Sequence, residues 1–179
     1  MARIGVYELP PRDPSASLWD RVGPVEKALI EPFFVGPPVP VGGIAHALGI
    51  DVLSSALRSD ISGQIRLRPD DNIYEIKVNI ADPPVRQRFT VAHEIGHYLM
   101  HRNEIDGDGI TDTILFRSKL SDRKETEANR IAAMILLPWE AVINWAESIH
   151  DSKISPLLLQ DIAAAWKVSA LTVGYRFGF

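Results

Sequence analysis

The sequence predicts an α+β domain in which a short antiparallel sheet packs on one helix with a His-Glu-x-x-His motif, followed by a helical C-terminal region. Three observations predict this class. Apolar and polar residues alternate over residues 73–80, as in a strand with one face exposed to solvent. Apolar residues recur at three- and four-residue spacings over residues 91–100 and again over residues 128–136, as in amphipathic helices.

The motif begins at His93. On a helix of about 3.6 residues per turn, His93 and His97 lie one turn apart on one face, where both imidazoles can reach one zinc ion. Glu94 flanks that site without binding the metal, so it can accept a proton from a water molecule there.

Thr90 is the predicted N-cap of the helix. Gly96 costs about 1 kcal/mol relative to alanine in a helix and predicts close approach of another element. The alternative is an ordinary helix whose histidines face the surface.

Composition restricts the functions that the chain can have. Its 179 residues, 46% of them hydrophobic, suit one domain or one domain with a small appendage. The formal net charge of −4, without a basic cluster, argues against binding to nucleic acid or to a membrane surface. Because cysteine is absent, disulfides and thiolate metal sites are excluded. Neither a signal-peptide pattern nor a membrane-spanning apolar run is found, so we expect a cytoplasmic location.

The chain divides into three predicted parts. Residues 1–40 are rich in proline and form an N-terminal arm with one short helix near residues 17–30; its aromatic residues predict that the arm docks on the body. Residues 41–150 form the domain that holds the motif, and residues 151–179 form a helical tail.

Three segments are predicted between the arm and the motif. Residues 41–57 have the spacing of a buried helical stripe, which Gly49 divides into two pieces. Residues 61–67 and 73–80 are predicted strands, joined by a Pro-Asp-Asp-Asn turn.

An acidic loop is predicted after the motif, over residues 102–112. Asp106, Asp108 and Asp112 suggest calcium binding. The spacing lacks the third acidic position and the closing glutamate of an EF-hand loop, so we reject a calcium site and expect a solvated loop.

The remaining segments are predicted to be helical. A helix over residues 121–137 ends at Pro138, which also opens the next helix over residues 139–149. Residues 156–179 predict two short helices, the second capped by Ser169, in a pattern similar to a helix-turn-helix core. The second helix has only Arg176 as a basic residue, which disfavours DNA reading; a packed helical pair is the alternative.

A hydrolytic zinc site needs a third protein ligand and one open position. A histidine in the His-x-x-Gly-x-x-His continuation is excluded, because Met100 and Asn103 occupy the glycine and histidine positions. A carboxylate from the following helix remains, and both Glu125 and Glu127 are candidates.

Two blocks of sequence carry a family resemblance. Residues 88–101 read Arg-Phe-Thr-Val-Ala-His-Glu-Ile-Gly-His-Tyr-Leu-Met-His, and residues 125–138 read Glu-Thr-Glu-Ala-Asn-Arg-Ile-Ala-Ala-Met-Ile-Leu-Leu-Pro. Together these blocks resemble the ImmA/IrrE metallopeptidase family. The resemblance covers about residues 40–138 and implies a small zincin-like fold. Ile131 and Leu137 depart from the family's phenylalanine and methionine, and both changes are apolar for apolar.

The resemblance implies roles for particular residues. His93, His97 and Glu125 are expected to hold one zinc ion or another divalent metal ion, with Glu94 as the catalytic base. Glu127 is then expected at the surface or behind the site, because it lies about 200° around the helix from Glu125.

Two further residues are candidates for supporting roles. His101 is a candidate for holding the oxyanion or the substrate, for support behind the ligands, or for capping the helix C-terminus. Asn129 lies one turn after Glu125 and is a candidate for orienting a ligand by a hydrogen bond. Tyr98 is expected in the core.

The activity that the resemblance implies is peptide-bond hydrolysis by a regulatory protease. The implied substrates are helix-turn-helix repressors of phages, mobile elements or stress regulons. The strand over residues 73–80 is a candidate edge for pairing with the substrate backbone. Two alternatives remain open: a binding module that retains the zincin fold without cleavage, and a component of a toxin–antitoxin system.

Overall fold

The chain folds into helices around one sheet in the four ranges that the computed structural model describes, residues 12–105, 110–113, 122–149 and 156–178. The helices are α1 (Ala16–Trp19), α2 (Pro24–Ile30), α3 (Val41–Ala47), α4 (Pro84–His101), α5 (Asp122–Leu136), α6 (Trp139–Ile149), α7 (Pro156–Trp166) and α8 (Ala170–Phe177). The strands are β1 (Ile50–Ser55), β2 (Ile61–Leu67), β3 (Tyr74–Asn79) and β4 (Ile110–Thr113). None of the described helices combines the length and the apolarity that crossing a membrane requires.

The sheet has the strand order β1-β3-β2-β4 and confirms an α+β fold. β2 pairs antiparallel with both β3 and β4, whereas β1 pairs parallel with β3, so the sheet is mixed where we predicted an antiparallel one. Because β3 lies between β1 and β2, the prediction that it offers a free edge is wrong. The edges of the described sheet are β1 and β4.

The predicted helix over residues 41–57 is only half correct. α3 ends at Ala47, and Gly49 adopts a φ of 73°, which suits glycine and terminates the helix. Residues Ile50–Ser55 then pair with β3, because a strand contact distant in sequence outweighs a weak local helical pattern.

One end of the predicted acidic loop is a strand. Asp112 lies in β4, opposite Gly63 of β2. Asp106 and Asp108, which suggested calcium, lie outside the described residues.

The face of β3 that was predicted to be exposed to solvent is largely buried. Glu75 is 4% exposed and pairs with Arg66 at 2.8 Å, while the side-chain amide of Asn79 donates to the carbonyl oxygen of Ile61 at 2.8 Å. Polar side chains on this face are therefore buried with partners.

α4 begins seven residues earlier than predicted, with its N-cap at Pro83 instead of Thr90. Pro84 is its first residue and Pro83 its N-cap, because the fixed φ and missing N–H of proline suit the first turn of a helix. Thr90, the predicted N-cap, instead lies inside the helix and is 2% exposed.

Later helices follow the prediction more closely. α5 and α6 lie where predicted, on either side of Pro138. Ser169 caps α8 as predicted, because its hydroxyl accepts a hydrogen bond from the Thr172 amide at 3.0 Å.

One hydrophobic cluster joins the described residues of all three predicted parts. The N-terminal segment contributes Ile30 and Val39, and the tail contributes Trp166 and Val173, all fully buried. The described part of the arm therefore packs on the body. The boundaries at residues 40 and 150 remain predictions.

A partly buried arginine, Arg88, connects these parts. The guanidinium of Arg88 donates to the carbonyl oxygens of Val39 at 2.9 Å and Lys167 at 3.3 Å. Burial lowers the pKa of Arg88 from its ordinary value. Arg88, the first residue of the family-like block, thus connects α4 to the arm and to the turn between α7 and α8.

α4 and α5 pack closely where Gly96 meets Ala128. A Cβ placed on Gly96 would lie 2.8 Å from the carbonyl oxygen of Ala128 and 3.0 Å from its Cα. Real Cβ atoms do not approach backbone so closely, so only glycine permits this spacing. The prediction that Gly96 allows close approach of another element is confirmed.

We expect Gly96→Ala to lower the free energy of unfolding by about 1–3 kcal/mol, because the added methyl group forces the helix backbones apart. Gly42→Ala is the matched control, since a Cβ there has no neighbour within 4 Å. The control is expected to be neutral or slightly stabilising in chemical denaturation. Equal stability of the two variants would contradict the packing argument.

A partly buried ion pair attaches the start of the described chain to α8. The guanidinium of Arg176 contacts both carboxylate oxygens of Asp13 at 2.6 Å and donates to the Leu137 carbonyl oxygen at 3.0 Å. Burial raises the pKa of Asp13, but hydrogen bonds from Arg176 and the Ser15 amide outweigh it, so the pKa lies below the ordinary 3.8.

We expect Asp13→Asn to lower the free energy of unfolding by about 1–3 kcal/mol at neutral pH, because Arg176 loses its charged partner. The folded-state pKa of Asp13 is depressed, so its contribution is present above pH 3.8 and is lost as the pH falls through the folded value. The difference from wild type should therefore shrink in acid. Asp20→Asn, at an exposed carboxylate 3.8 Å from Lys27, should change little at any pH.

Candidate metal centre

Two histidines of α4, His93 and His97, have ring nitrogens that lie close together. His93 and His97 are 2% and 0% exposed, and their Nε2 atoms lie 3.0 Å apart. Burial lowers the pKa of His97 to about 3; His93 adds to the effect and Glu125 opposes it. His97 is therefore a neutral imidazole, which is the form that binds a metal ion.

Glu125 reaches the same point from the first turn of α5. Its carboxylate oxygens lie 3.4 Å from His93 Nε2 and 3.5 Å from His97 Nε2. One ligand atom from each of the three residues lies within 4.8 Å of the others. Two imidazole nitrogens and one carboxylate oxygen, from two helices, form a donor set that suits a divalent metal ion.

Glu94 lies on the side of α4 that faces the sheet. It is fully buried, and one carboxylate oxygen would lie 3.2 Å from a Cβ placed on Gly63 of β2. The same Cβ would lie 2.2 Å from Thr90 Cγ2. Gly63 is thus needed where the strand crosses Glu94. Sequence reasoning missed it, although an isolated glycine within a strand pattern signals such close approach.

Asn129 stands behind His93. Its Oδ1 lies 2.9 Å from His93 Nδ1, so the amide oxygen accepts a hydrogen bond from an Nδ1–H group and Nε2 keeps its lone pair for a metal ion. The structure thus places Asn129 where the sequence suggested that it orients a ligand.

His101 stands behind His97 in the same way. Its Nδ1 lies 3.1 Å from His97 Nδ1, and its Nε2 lies 3.2 Å from a carboxylate oxygen of Glu127. If His97 coordinates through Nε2, it donates from Nδ1 to His101, which then donates from Nε2 to Glu127. This geometry favours an orienting role for His101 over contact with a substrate.

Glu127 anchors this chain of hydrogen bonds to the N-terminal segment. Its second carboxylate oxygen lies 2.8 Å from Arg21 and 3.3 Å from Arg123. The hydrogen bond from Arg21 lowers the pKa of Glu127 to about 2. Burial opposes this shift, and hydrogen bonds from His101 and Arg123 add to it. The structure therefore separates the two candidate glutamates: Glu125 faces the histidine nitrogens, and Glu127 supports His101.

A family model described as the IrrE N-terminal-like domain, a peptidase family, matches residues 45–177. The chain belongs to this family. The resemblance to ImmA/IrrE metallopeptidases in the sequence is thereby confirmed, and the matched range contains every residue of the metal centre.

Among curated proteins, the chain is similar to the radiation response metalloprotease IrrE of Deinococcus radiodurans, with 36% identity over 107 residues. The aligned part is 60% of this chain and 31% of that protein, so the chain spans less than a third of this relative's length. A solved structure described as a Mycobacterium tuberculosis transcriptional regulator aligns with a TM-score of 0.47 at 17% identity, over 90% of this chain and 44% of that one.

We expect Glu127→Gln to weaken metal binding by about tenfold, because the neutral amide polarises His101 and His97 less than a carboxylate. Competition with a chelator measures the affinity directly, without a substrate. Glu147→Gln, at an exposed site on α6, is the matched control. Affinity within twofold of wild type for Glu127→Gln would show that the hydrogen-bond chain does not act on the metal ligands.

Proposed function

We propose that the chain is a zinc-dependent endopeptidase that cleaves a helix-turn-helix transcriptional repressor in the cytoplasm. The observation that carries the peptidase part is the convergence of His93, His97 and Glu125 from two helices, with Glu94 beside them on α4. Membership of a peptidase family supports the same reaction class. Zinc suits a site of two imidazoles and one carboxylate with room for an open position.

Each residue of the metal centre has its own role in the proposed hydrolysis. His93, His97 and Glu125 would hold the ion, which when bound supplies Lewis-acid chemistry that acidifies water and polarises a carbonyl oxygen. Glu94 takes a proton from the water molecule that attacks the scissile carbonyl, and it passes that proton to the departing amine as the C–N bond breaks. Asn129 and His101 hold the two imidazoles in the tautomer that leaves each Nε2 free to bind.

An extended substrate would pair with β4. Of the two edges of the described sheet, β4 is the one beside β2, whose Gly63 contacts Glu94 and pairs with Asp112. Addition of a strand at this edge would hold a peptide backbone in a fixed register, two strand spacings from β2.

The repressor substrate is supported by the family resemblance. The relative from Deinococcus radiodurans is described as a radiation response metalloprotease, which agrees with a regulatory protease in a stress response. DNA reading by the tail is disfavoured, because Arg176, the one basic residue of α8, is 2% exposed and paired with Asp13. A non-proteolytic binding module or a toxin–antitoxin component is the alternative function.

We expect Glu94→Gln to slow cleavage of the helix-turn-helix repressor encoded nearest to this chain by about 10²–10⁴-fold, because the amide cannot accept the proton. Cleavage is followed by gel electrophoresis and mass spectrometry, with metal content measured on each preparation. Glu147→Gln, an exposed glutamate on α6, controls for loss of one negative charge.

The two candidate functions separate in the same experiment. If Glu94→Gln keeps its metal and still produces the full cellular effect on the repressor, the protein acts by binding and the peptidase proposal fails. If the wild type leaves this repressor intact but cleaves other proteins in a Glu94-dependent manner, only the substrate assignment fails.

A further inference from the structure

A cavity of about 510 Å³ lies where the N-terminal segment meets α5, α6 and α8. Six of the twelve described residues that line it precede residue 45, where the match to the family model begins. One lining residue, Met134, is nine residues after Glu125 on α5, which places the cavity about 13.5 Å along that helix from the metal centre. The cavity is therefore a second concave site, separate from the metal ligands.

Aromatic side chains form much of the cavity wall. The rings of Trp19 and Phe34 pack against each other with 5.9 Å between centroids, and Trp139 lines the cavity from α6. The face of an aromatic ring carries a partial negative charge that attracts cations. Trp139 already makes one such contact, because the guanidinium carbon of Arg176 lies 5.3 Å from the centroid of its ring. The wall thus suits a ligand that is both apolar and positively charged.

The described lining residues carry a net negative charge. Asp13 and Arg176 form the bidentate ion pair described above, so their charges cancel. Three carboxylates remain, and all three are exposed to solvent: those of Asp20, Glu31 and Glu140. A site with three uncancelled carboxylates attracts cations and repels anions.

Two of these carboxylates make contacts that leave them able to bind a ligand. Glu31 accepts a hydrogen bond from the indole N–H of Trp19 at 3.3 Å, and Asp20 lies 3.8 Å from the ammonium group of Lys27. Because an ionised carboxylate has about four lone-pair sites, both groups can accept further hydrogen bonds.

A broad organic cation fits this lining better than a metal ion. Within the part of the chain that the structure describes, only His93, His97 and Glu125 bring three ligand atoms within 4.8 Å of one another. The carboxylates of the cavity are therefore too widely spaced to share one metal ion. A guanidinium group is planar and carries five N–H donors, so it can stack on an aromatic ring while it donates to separate carboxylates.

We propose that this cavity binds an arginine side chain of a partner polypeptide. The methylene stem would pack on Met134 and the aromatic rings, and the guanidinium would stack on a ring and donate to Glu31 and Glu140. A polypeptide is the favoured source, because the α-carboxylate of free arginine would be repelled by the negative lining. The proposal concerns binding and does not depend on the proposed hydrolysis.

The four tryptophans of the chain provide both the signal and an internal control. Arginine capped as its N-acetyl methylamide is titrated into the full ¹⁵N-labelled chain, and the four indole N–H resonances are followed by NMR. Trp19 and Trp139 line the cavity, whereas Trp145 and Trp166 do not. We expect saturable shifts of the first two resonances and unchanged positions for the other two. Trp19→Phe and Trp139→Phe assign the resonances.

Three related ligands test the chemistry of recognition. Capped citrulline has nearly the shape of arginine without the charge, so it should bind at least about tenfold more weakly. Capped lysine should bind about threefold more weakly than arginine, because an ammonium group cannot stack as a plane. Free arginine should bind more weakly than the capped form, because the lining repels its carboxylate.

Two glutamates of α6 form a matched pair of variants. Glu140 and Glu147 are both exposed and lie about two helical turns apart, but only Glu140 lines the cavity. Glu140→Gln should weaken arginine binding by about two- to fivefold, and Glu147→Gln should leave it within about 1.5-fold of wild type. Glu31→Gln provides a second lining variant, and its combination with Glu140→Gln should weaken binding by about tenfold.

The outcomes are distinct. Absence of shifts, shifts of all four indoles, equal binding of arginine and citrulline, or equal binding by Glu140→Gln and Glu147→Gln overturns the cavity as a cation site. Lysine binding that matches arginine overturns the choice of guanidinium, and tighter binding of free arginine than of the capped form overturns the polypeptide source. The indole spectrum of each variant without ligand reports misfolding, and the wild-type titration tests the proposal without any variant.

Discussion

The close contact between the backbones of α4 and α5 at Gly96 and Ala128 is the constraint on which the metal centre depends. Helical periodicity alone puts His93 and His97 on one face of α4. Glu125, however, belongs to another helix, and it comes within 3.5 Å of both histidines because no Cβ separates the two backbones at Gly96. The third ligand position is thus a consequence of packing, and the chemistry of the site depends on the absence of one methyl group.

A second close contact sets the position of Glu94, the proposed catalytic base. β2 passes over α4 at Gly63, where a side chain would overlap Thr90 and press on Glu94. α4 is therefore held between a helix and a strand, each brought near by a glycine. Packing this dense allows few rotamers, so Glu94 has a fixed position relative to the metal ligands. An apolar cavity opens beside the N-terminal half of the same helix.

Local pattern predicted the elements whose signals lie within one segment. The motif helix, the strands β2 and β3, the helix α5 and the Ser169 cap of α8 were all predicted from short stretches of sequence. Prediction failed where a distant partner decided the structure: Ile50–Ser55 became a strand by pairing with β3, and Asp112 joined β4. It failed at Thr90 because a good N-cap residue also fits a buried helical position, and two prolines upstream provided the actual start.

The amino-acid sequence alone determined which groups are available for chemistry: two histidines and a glutamate at fixed helical spacing, two glutamates on a later helix, and no thiolate. Those features follow from local geometry, because residue spacing on a helix sets which side chains share a face. Only the tertiary structure decided between Glu125 and Glu127, brought Glu127 to His101, and opened the cavity beside Phe89. Each of those depends on how two elements far apart in the chain approach one another, and that distance is set by side-chain volume at the contacts rather than by spacing along the sequence.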